Sequence, residues 1–455
     1  MKLLGVKEFV NDLREKNLDL ISYVENLQKK LKEINEEYSY FNFLSEDIAL
    51  KAESVLKEKT NGKILGLPIS IKDCICVKDM PSSAGAKIIK NYKPVFNATV
   101  VERLLKEGAI IIGKTAQDEF GFGSFSVNTY NIPKNPHDKE RSCGGSSGGS
   151  AGITVKLAQE DFTHVSIAES TGGSIACPAS FCGCYGYTPT YGLISRYGLI
   201  DYANSLDKIG IMAPSLEDIK IVLEIIKGYD PKDSTSLNKE LNNDTSVKKV
   251  AIVKECFNVE EEIKEAVLSK LNNLNYEEIS LPITQKYGLA CYYIIALAEA
   301  STNLAKYCGL RYGEALPLDK SYNEYFKEVR TKYFNTETKR RIILGTFTRM
   351  AGYRDAFYLK AAKIRRLIIQ EYKRAFKKYD LLISPTMPII APKFSEIKKL
   401  TPLEMYMMDS LTVGPNLAGL PHLSLNAGFS KKEKMPIGMM LIADHLNDLK
   451  LFNLP

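Results

Sequence analysis

Histidine is the scarcest chemically useful residue in this chain. The 455 residues contain four: His137, His164, His422 and His445. Metal centres and proton relays lean on imidazole, so mechanisms of that kind have few candidates. No uncharged apolar run of about 18 residues occurs, so no membrane-spanning helix is expected. The residues after Met1-Lys2-Leu3-Leu4-Gly5 are charged, which argues against a secretory leader. Nine cysteines, an odd number in a long chain, fit free thiols better than a disulfide framework. A cytoplasmic protein is expected. Excess charge is also modest: 61 Lys and Arg against 54 Asp and Glu give +7. Without a dense basic stripe interleaved with aromatics, that balance permits a polyanionic partner but does not argue for one. What is present in quantity is core material. Hydrophobic residues make up 45% and charged residues 25%, which excludes wholesale disorder.

Leu20, Val24, Leu27, Leu31 and Ile34 recur at helical spacing. The first sixty residues therefore read as helices that lay an apolar stripe on the main body. At Ile64–Asp73 the texture changes to a short apolar strand closed by Lys72 and Asp73. A helix is expected over Val100–Leu105, and strands over Ala109–Gly113 and Thr163–Ala168. Residues 121–198 are rich in Gly, Ser and Thr, a composition that lets backbone approach a ligand closely. Residues 228–249 are polar and read as a surface excursion. Beyond them come a strand at Val250–Val253, helices over Pro282–Lys306 and Tyr353–Lys378, and strands at Leu381–Pro385 and Ile437–Ile442. Strands alternating with helices predict an α/β fold. The expected form is one large domain over 1–455, with a mixed, mainly parallel central sheet flanked by helices. Its parts are N-terminal helices over 1–60, a core over 61–215, the excursion, and later strands and helices over 250–455.

Three elements carry chemistry. Lys72 closes an apolar strand. A desolvated lysine can act as a base, although a strand-end lysine is more often solvated. The run Cys143-Gly144-Gly145-Ser146-Ser147-Gly148-Gly149-Ser150 can cradle an anion or simply turn. It also fits G-x-S-x-G through Ser146, weakly, because the stretch before it is charged and not a strand. Ser170-Thr171-Gly172-Gly173-Ser174 follows a predicted strand. Two glycines before a serine let successive N–H groups converge, as an oxyanion hole requires; a plain strand-to-helix turn is the alternative. Together the three suggest a serine nucleophile served by a lysine base.

The segments LGLPISIKD, CGGSSGGSAG and STGGSIACPASFCG resemble the amidase signature family. The match continues through Gly186–Gly198 and Ser205–Gly210. Later blocks, Arg340–Gly345, Ala351–Tyr353 and Pro415–Pro421, resemble the branch whose members serve as the glutamine-hydrolysing component of a tRNA-dependent amidotransferase. The resemblance implies Ser174 as nucleophile, Ser146 after a cis peptide bond as proton shuttle, and Lys72 as base, neutral at rest. It implies an oxyanion hole from the N–H groups of Thr171, Gly172, Gly173 and Ser174, with Ser147 and Ser150 bonded around the lysine and the cis peptide. Asp409, Arg341 and Tyr293 are the candidates for holding glutamine, with the choice between Arg340 and Arg341 left open.

No cofactor is expected in this chain. ATP and Mg²⁺ are expected in a partner B subunit, beside a small C subunit, with misacylated tRNA met indirectly. The tRNA could be Glu-tRNA(Gln), Asp-tRNA(Asn) or both. Two departures from the family pattern stand out. Ser170 and Ala176 replace an Asp and an Arg, the loss of an ion pair. Ser146 and Ser174 lie 28 positions apart, which predicts a longer loop around Gln159–Phe162. Three rivals remain: a stand-alone amidase with the same triad, an esterase using Ser146 with His422 or His445, and a non-catalytic phosphate-binding module.

Overall fold

A computed structural model describes residues 3–58 and 61–454. Among the described residues, eleven strands form one sheet: β1 (Phe41–Leu44), β2 (Pro68–Lys72), β3 (Ile110–Thr115), β4 (Val165–Ser170), β5 (Tyr185–Thr188), β6 (Lys208–Ala213), β7 (Val250–Val253), β8 (Tyr276–Ile279), β9 (Leu381–Pro385), β10 (His422–Phe429) and β11 (Pro436–Ile442). Their order is β1-β3-β2-β4-β6-β5-β10-β11-β9-β7-β8. Strands from both sides of the polar stretch 228–249 thus share one sheet. The sheet is mixed, but the expectation of a mainly parallel one needs correction. Parallel pairing is confined to β3-β2-β4 and to β8-β7-β9, and the other six pairings are antiparallel. Strand spacing along the chain predicts crossovers, yet β5, β6, β10 and β11 pair with oppositely running neighbours, which period-2 patterning cannot distinguish.

Side chains alternate across a strand, and β3 shows it. Ile110 and Ile112 belong to one apolar cluster and Ile111 to another. The first cluster is capped by the helix Leu20–Tyr38, whose stripe Leu20, Val24, Leu27, Leu31 and Ile34 is buried there. Asp19 starts this helix by accepting from the N–H groups of Ile21 and Ser22, and Ser39 ends it in a left-handed conformation. The N-terminal region is not wholly helical, because β1 lies within it and pairs with β3. Later helices run over Thr99–Lys106, Pro282–Asn303, Thr336–Phe347 and Lys360–Phe376, the last preceded by a π-helical turn at Asp355–Leu359. Among the described residues no helix is long and apolar enough to cross a membrane.

Candidate active site

The parallel block β3-β2-β4 delivers three carboxyl ends side by side. Lys72 is the last residue of β2 and pairs with Thr115, the last of β3, and β4 ends at Ser170. Loops that follow the carboxyl ends of parallel strands are the usual place for ligand chemistry in α/β sheets. Here the loop after β4 is Thr171–Ile175. The serine-rich run meets it from the helix Gly148–Gln159. That helix joins β4 through a turn at residues 160–164, the stretch to which the serine spacing assigns the extra residues.

Lys72 is fully buried. Its Nζ lies 2.8 Å from Ser146 Oγ, 2.9 Å from the Glu169 carbonyl oxygen and 2.9 Å from Glu169 Oε2. The Gly145–Ser146 peptide bond is cis. Ser147 Oγ donates to the same Glu169 carbonyl at 3.1 Å. Ser150 does not reach the lysine; its Oγ pairs with Thr115 Oγ1 at 2.7 Å, on the strand beside it. Ser174 is 7% exposed, and no hydrogen bond joins its hydroxyl to Ser146 or to any other described residue. Ser170 and Ala176, the small replacements for the expected ion pair, are both fully buried.

Among the described residues, the N–H groups of Thr171, Gly172, Gly173 and Ser174 find no acceptor. Four successive free donors in a buried loop form a concavity suited to negative charge. Space explains the two glycines. A Cβ at Gly172 would sit 2.7 Å from Tyr292 Oη, and one at Gly173 would sit 2.5 Å from Thr412 Oγ1. Asn416 Nδ2 donates to the Gly172 carbonyl and pins the loop from the other side.

The three pocket candidates converge. Tyr293 Oη donates to Asp409 Oδ2 at 2.6 Å, and Ser124 Oγ donates to Oδ1 at 2.9 Å. Burial pushes the Asp409 carboxyl up; those two bonds and the Arg341 charge oppose the rise. Arg341 is buried, whereas the Arg340 side chain is 36% exposed and paired with Glu337. Arg341 Nε donates to Glu337 Oε1 at 2.7 Å and Nη1 to Tyr202 Oη at 2.8 Å. Its guanidinium stands 5.1 Å from the Phe122 ring centre, 5.2 Å from that of Tyr406 and 5.5 Å from that of Tyr293, a setting that favours a cation. Nη2 has no partner among the described residues. Gly121 ties this pocket to the lysine: a Cβ there would lie 3.6 Å from Ser146 Oγ, 3.6 Å from the Tyr202 ring and 3.7 Å from Glu169 Oε2.

Sequence reasoning did not single out Glu169, Tyr202 or Glu337. The four histidines sit elsewhere. His137, His422 and His445 bond backbone carbonyls of Cys182, Leu420 and Ala418, and His164 bonds Ser70. An esterase using Ser146 with His422 or His445 is therefore excluded, because the group on Ser146 is Lys72.

A family model described as Amidase matches residues 22–452. The chain belongs to the amidase signature family. It is accordingly an enzyme of amide chemistry, and a purely phosphate-binding module is set aside. It is 46% identical to the A subunit of the glutamyl-tRNA(Gln) amidotransferase of Archaeoglobus fulgidus, over 90% of this chain and 89% of that one. It is 40% identical to the protein of the same name from Saccharolobus solfataricus, over 100% of this chain and 96% of that one. The crystal structure of the corresponding A subunit from Thermotoga maritima superposes with a TM-score of 0.76 at 34% identity, covering 94% of this chain and 88% of that one. A bacterial aryl acylamidase superposes with a TM-score of 0.83 at 19% identity over 99% of this chain and 94% of that one, a likeness of fold alone.

Proposed function

We propose that this chain is the glutaminase component of a tRNA-dependent amidotransferase. The observation that carries the proposal is the pairing of a buried arginine and a buried carboxylate, Arg341 and Asp409, in one aromatic pocket next to the Ser146–Lys72 pair. An amide donor with a free α-carboxylate and α-ammonium needs one cation and one anion, whereas a simple alkyl or aryl amide needs neither. Near full-length similarity to proteins named as the A subunits of glutamyl-tRNA(Gln) amidotransferases supports the same reading.

In this reading the glutamine carboxylate meets Arg341 Nη2 and its ammonium meets Asp409. Tyr293 lines the pocket and holds the Asp409 carboxylate. Ser174 Oγ attacks the side-chain amide carbon. The oxygen that gains charge is received by the N–H groups of Thr171, Gly172, Gly173 and Ser174. Ser146 passes the proton of Ser174 toward Lys72 and returns one to the departing ammonia. Water then releases glutamate from Ser174 by the same relay in reverse. The ammonia serves a partner B subunit, which uses ATP and Mg²⁺ to amidate misacylated tRNA, Glu-tRNA(Gln) or Asp-tRNA(Asn). A small C subunit completes the assembly in the cytoplasm.

The test is intact-protein mass after exposure to a diazo-ketone glutamine analogue, with and without co-expressed partner subunits. One adduct on the wild type, absent from Ser174→Ala, is the expected result. No adduct with partners present, combined with turnover of simple amides, would make the chain a stand-alone amidase.

A further inference from the structure

Glu169 lies in contact with the lysine that the proposed mechanism uses, but has no part in that mechanism. Lys72 Nζ has three neighbours: the Glu169 carbonyl, Glu169 Oε2 and Ser146 Oγ. Two of the three accept only. An amine nitrogen has two hydrogens and one lone pair. If those hydrogens go to the two Glu169 oxygens, the lone pair is left facing the Ser146 hydroxyl. When the proton arrives, the new ammonium keeps all three bonds and stands 2.9 Å from a carboxylate.

The other oxygen of Glu169 continues the chain. Thr171 Oγ1 lies 2.8 Å from Glu169 Oε1 and 2.8 Å from Asp207 Oδ1. A threonine hydroxyl has one hydrogen, and an ionised carboxylate has none. Both contacts are hydrogen bonds only if one carboxyl is protonated. Asp207 is the better holder. It is fully buried, and burial pushes its carboxyl well up, with the Glu169 charge pushing it further. Both Glu169 oxygens accept, Oε2 from Lys72 Nζ and Oε1 from Thr171 Oγ1, and donors of that kind favour the ionised form of a carboxylate.

We propose that Glu169 is a positioning residue for Lys72, and that it is kept ionised by a protonated Asp207 through the Thr171 hydroxyl. Asp207 Oδ1–H donates to Thr171 Oγ1, and Thr171 donates to Glu169 Oε1. Lys72 is thereby aimed at Ser146, and its positive charge is neutralised once it forms. Other ionisable groups acting on this array are Cys74 and Asp118 near Lys72, and Arg196 and Tyr191 near Asp207. All four are common to the variants below, so differences between variants cancel them.

This inference rests on the assignment of Ser174, Ser146 and Lys72, but not on glutamine as substrate. The test therefore uses a serine-directed sulfonyl fluoride, with its rate of adduct formation followed by intact mass from pH 5 to 10 and Ser174→Ala as blank. Glu169→Gln is expected to slow labelling at least tenfold and to move the acid limb of the profile by a unit or more. Asp207→Asn, which mimics a protonated carboxyl, is expected to slow it less than fivefold with the limb in place. If Glu169→Gln aggregates, Thr171→Val against Thr171→Ser decides. Loss of the hydroxyl is expected to slow labelling at least tenfold more than its retention does. Labelling of Glu169→Gln at the wild-type rate and pH profile overturns the positioning role, as does equal labelling of Thr171→Val and Thr171→Ser. A loss in Asp207→Asn as deep as in Glu169→Gln overturns the proton assignment. Labelling that persists in Ser174→Ala overturns the triad assignment instead.

Discussion

Gly173→Ala tests the loop after β4 most sharply, because the obstacle is steric alone. Gly173 is not among the residues with positive φ, so alanine suits its backbone. The added methyl would lie 2.5 Å from Thr412 Oγ1, 3.2 Å from Thr412 Cβ and 3.4 Å from Cγ2. Reaching ordinary contact needs an opening of about 0.9 Å. Thr412 has little room to yield, since it is fully buried and its Oγ1 donates to the Asp409 carbonyl at 3.2 Å. The loop must move, and its N–H groups move with it. A shift of that size exceeds hydrogen-bond tolerance. Losing one oxyanion donor costs about 2.7–4 kcal/mol, or roughly 10²–10³-fold in kcat. KM for glutamine should change little. The stability cost of overpacking is about 1–3 kcal/mol. Thr412→Ala in the same chain removes Oγ1 and Cγ2 and leaves Cβ at 3.2 Å, a fit needing only a few tenths of an ångström. The double variant should therefore recover at least tenfold in kcat over Gly173→Ala. The assay is glutamate release from glutamine by the protein with its partners, alongside urea unfolding of each variant. A folded Gly173→Ala with wild-type kcat would show that this backbone does not receive the developing charge. A double variant no better than the single would refute the steric reasoning.

Arg341→Lys keeps a cation but loses the planar fork and should raise KM for glutamine roughly tenfold or more, while Arg340→Ala, at the half-exposed position, should leave it within about twofold; steady-state kinetics separates the two. Tyr293→Phe removes a 2.6 Å bond to the buried Asp409 and should weaken glutamine binding by about 1–3 kcal/mol, read as KM with kcat less affected. His164 supplies a pH test of stability. Burial pushes its imidazole down from 6.5 to about 3. Below pH 6.5 the unfolded chain takes a proton that the folded one refuses until about pH 3, so stability present above 6.5 is lost as pH falls through that window. The slope is about 1.4 kcal/mol per pH unit. Between pH 7.5 and 5 the wild type should lose roughly 2 kcal/mol more than His164→Gln in urea titrations; parallel losses would contradict this.

The glycine-rich blocks were legible because their chemistry is local. Lys72 at a strand end, Ser146 in its serine run and Ser174 after two glycines each announce themselves within a few residues. The stripe Leu20–Ile34 was legible because one period describes it. Glu169 was not, since it stands within an apolar strand, and its partner Lys72 lies 97 residues away. Only the pairing of β2 with β4 brings them together, and no local pattern states which strands become neighbours or in which direction. The same holds for Tyr202 and Glu337, which acquire meaning by facing Arg341 across separate elements. The choice between Arg340 and Arg341 was open for a related reason. Adjacent helical positions point about 100° apart, and only the packed core says which direction is inward.

The pairing of Lys72 with Thr115 at the ends of β2 and β3 divides the labour of the enzyme along its chain. Every group placed in the proton path comes from residues 72 to 174: Lys72 and Ser174 at the carboxyl ends of β2 and β4, and Ser146 just ahead of the helix Gly148–Gln159. The groups around the substrate pocket, Tyr293, Arg341 and Asp409, come from helical segments between Pro282 and Leu411. The two sets meet at one seam, where Tyr292 and Thr412 press on Gly172 and Gly173. A library that holds those two contacts fixed and varies the rest of the later segments should change the choice of amide while sparing bond cleavage.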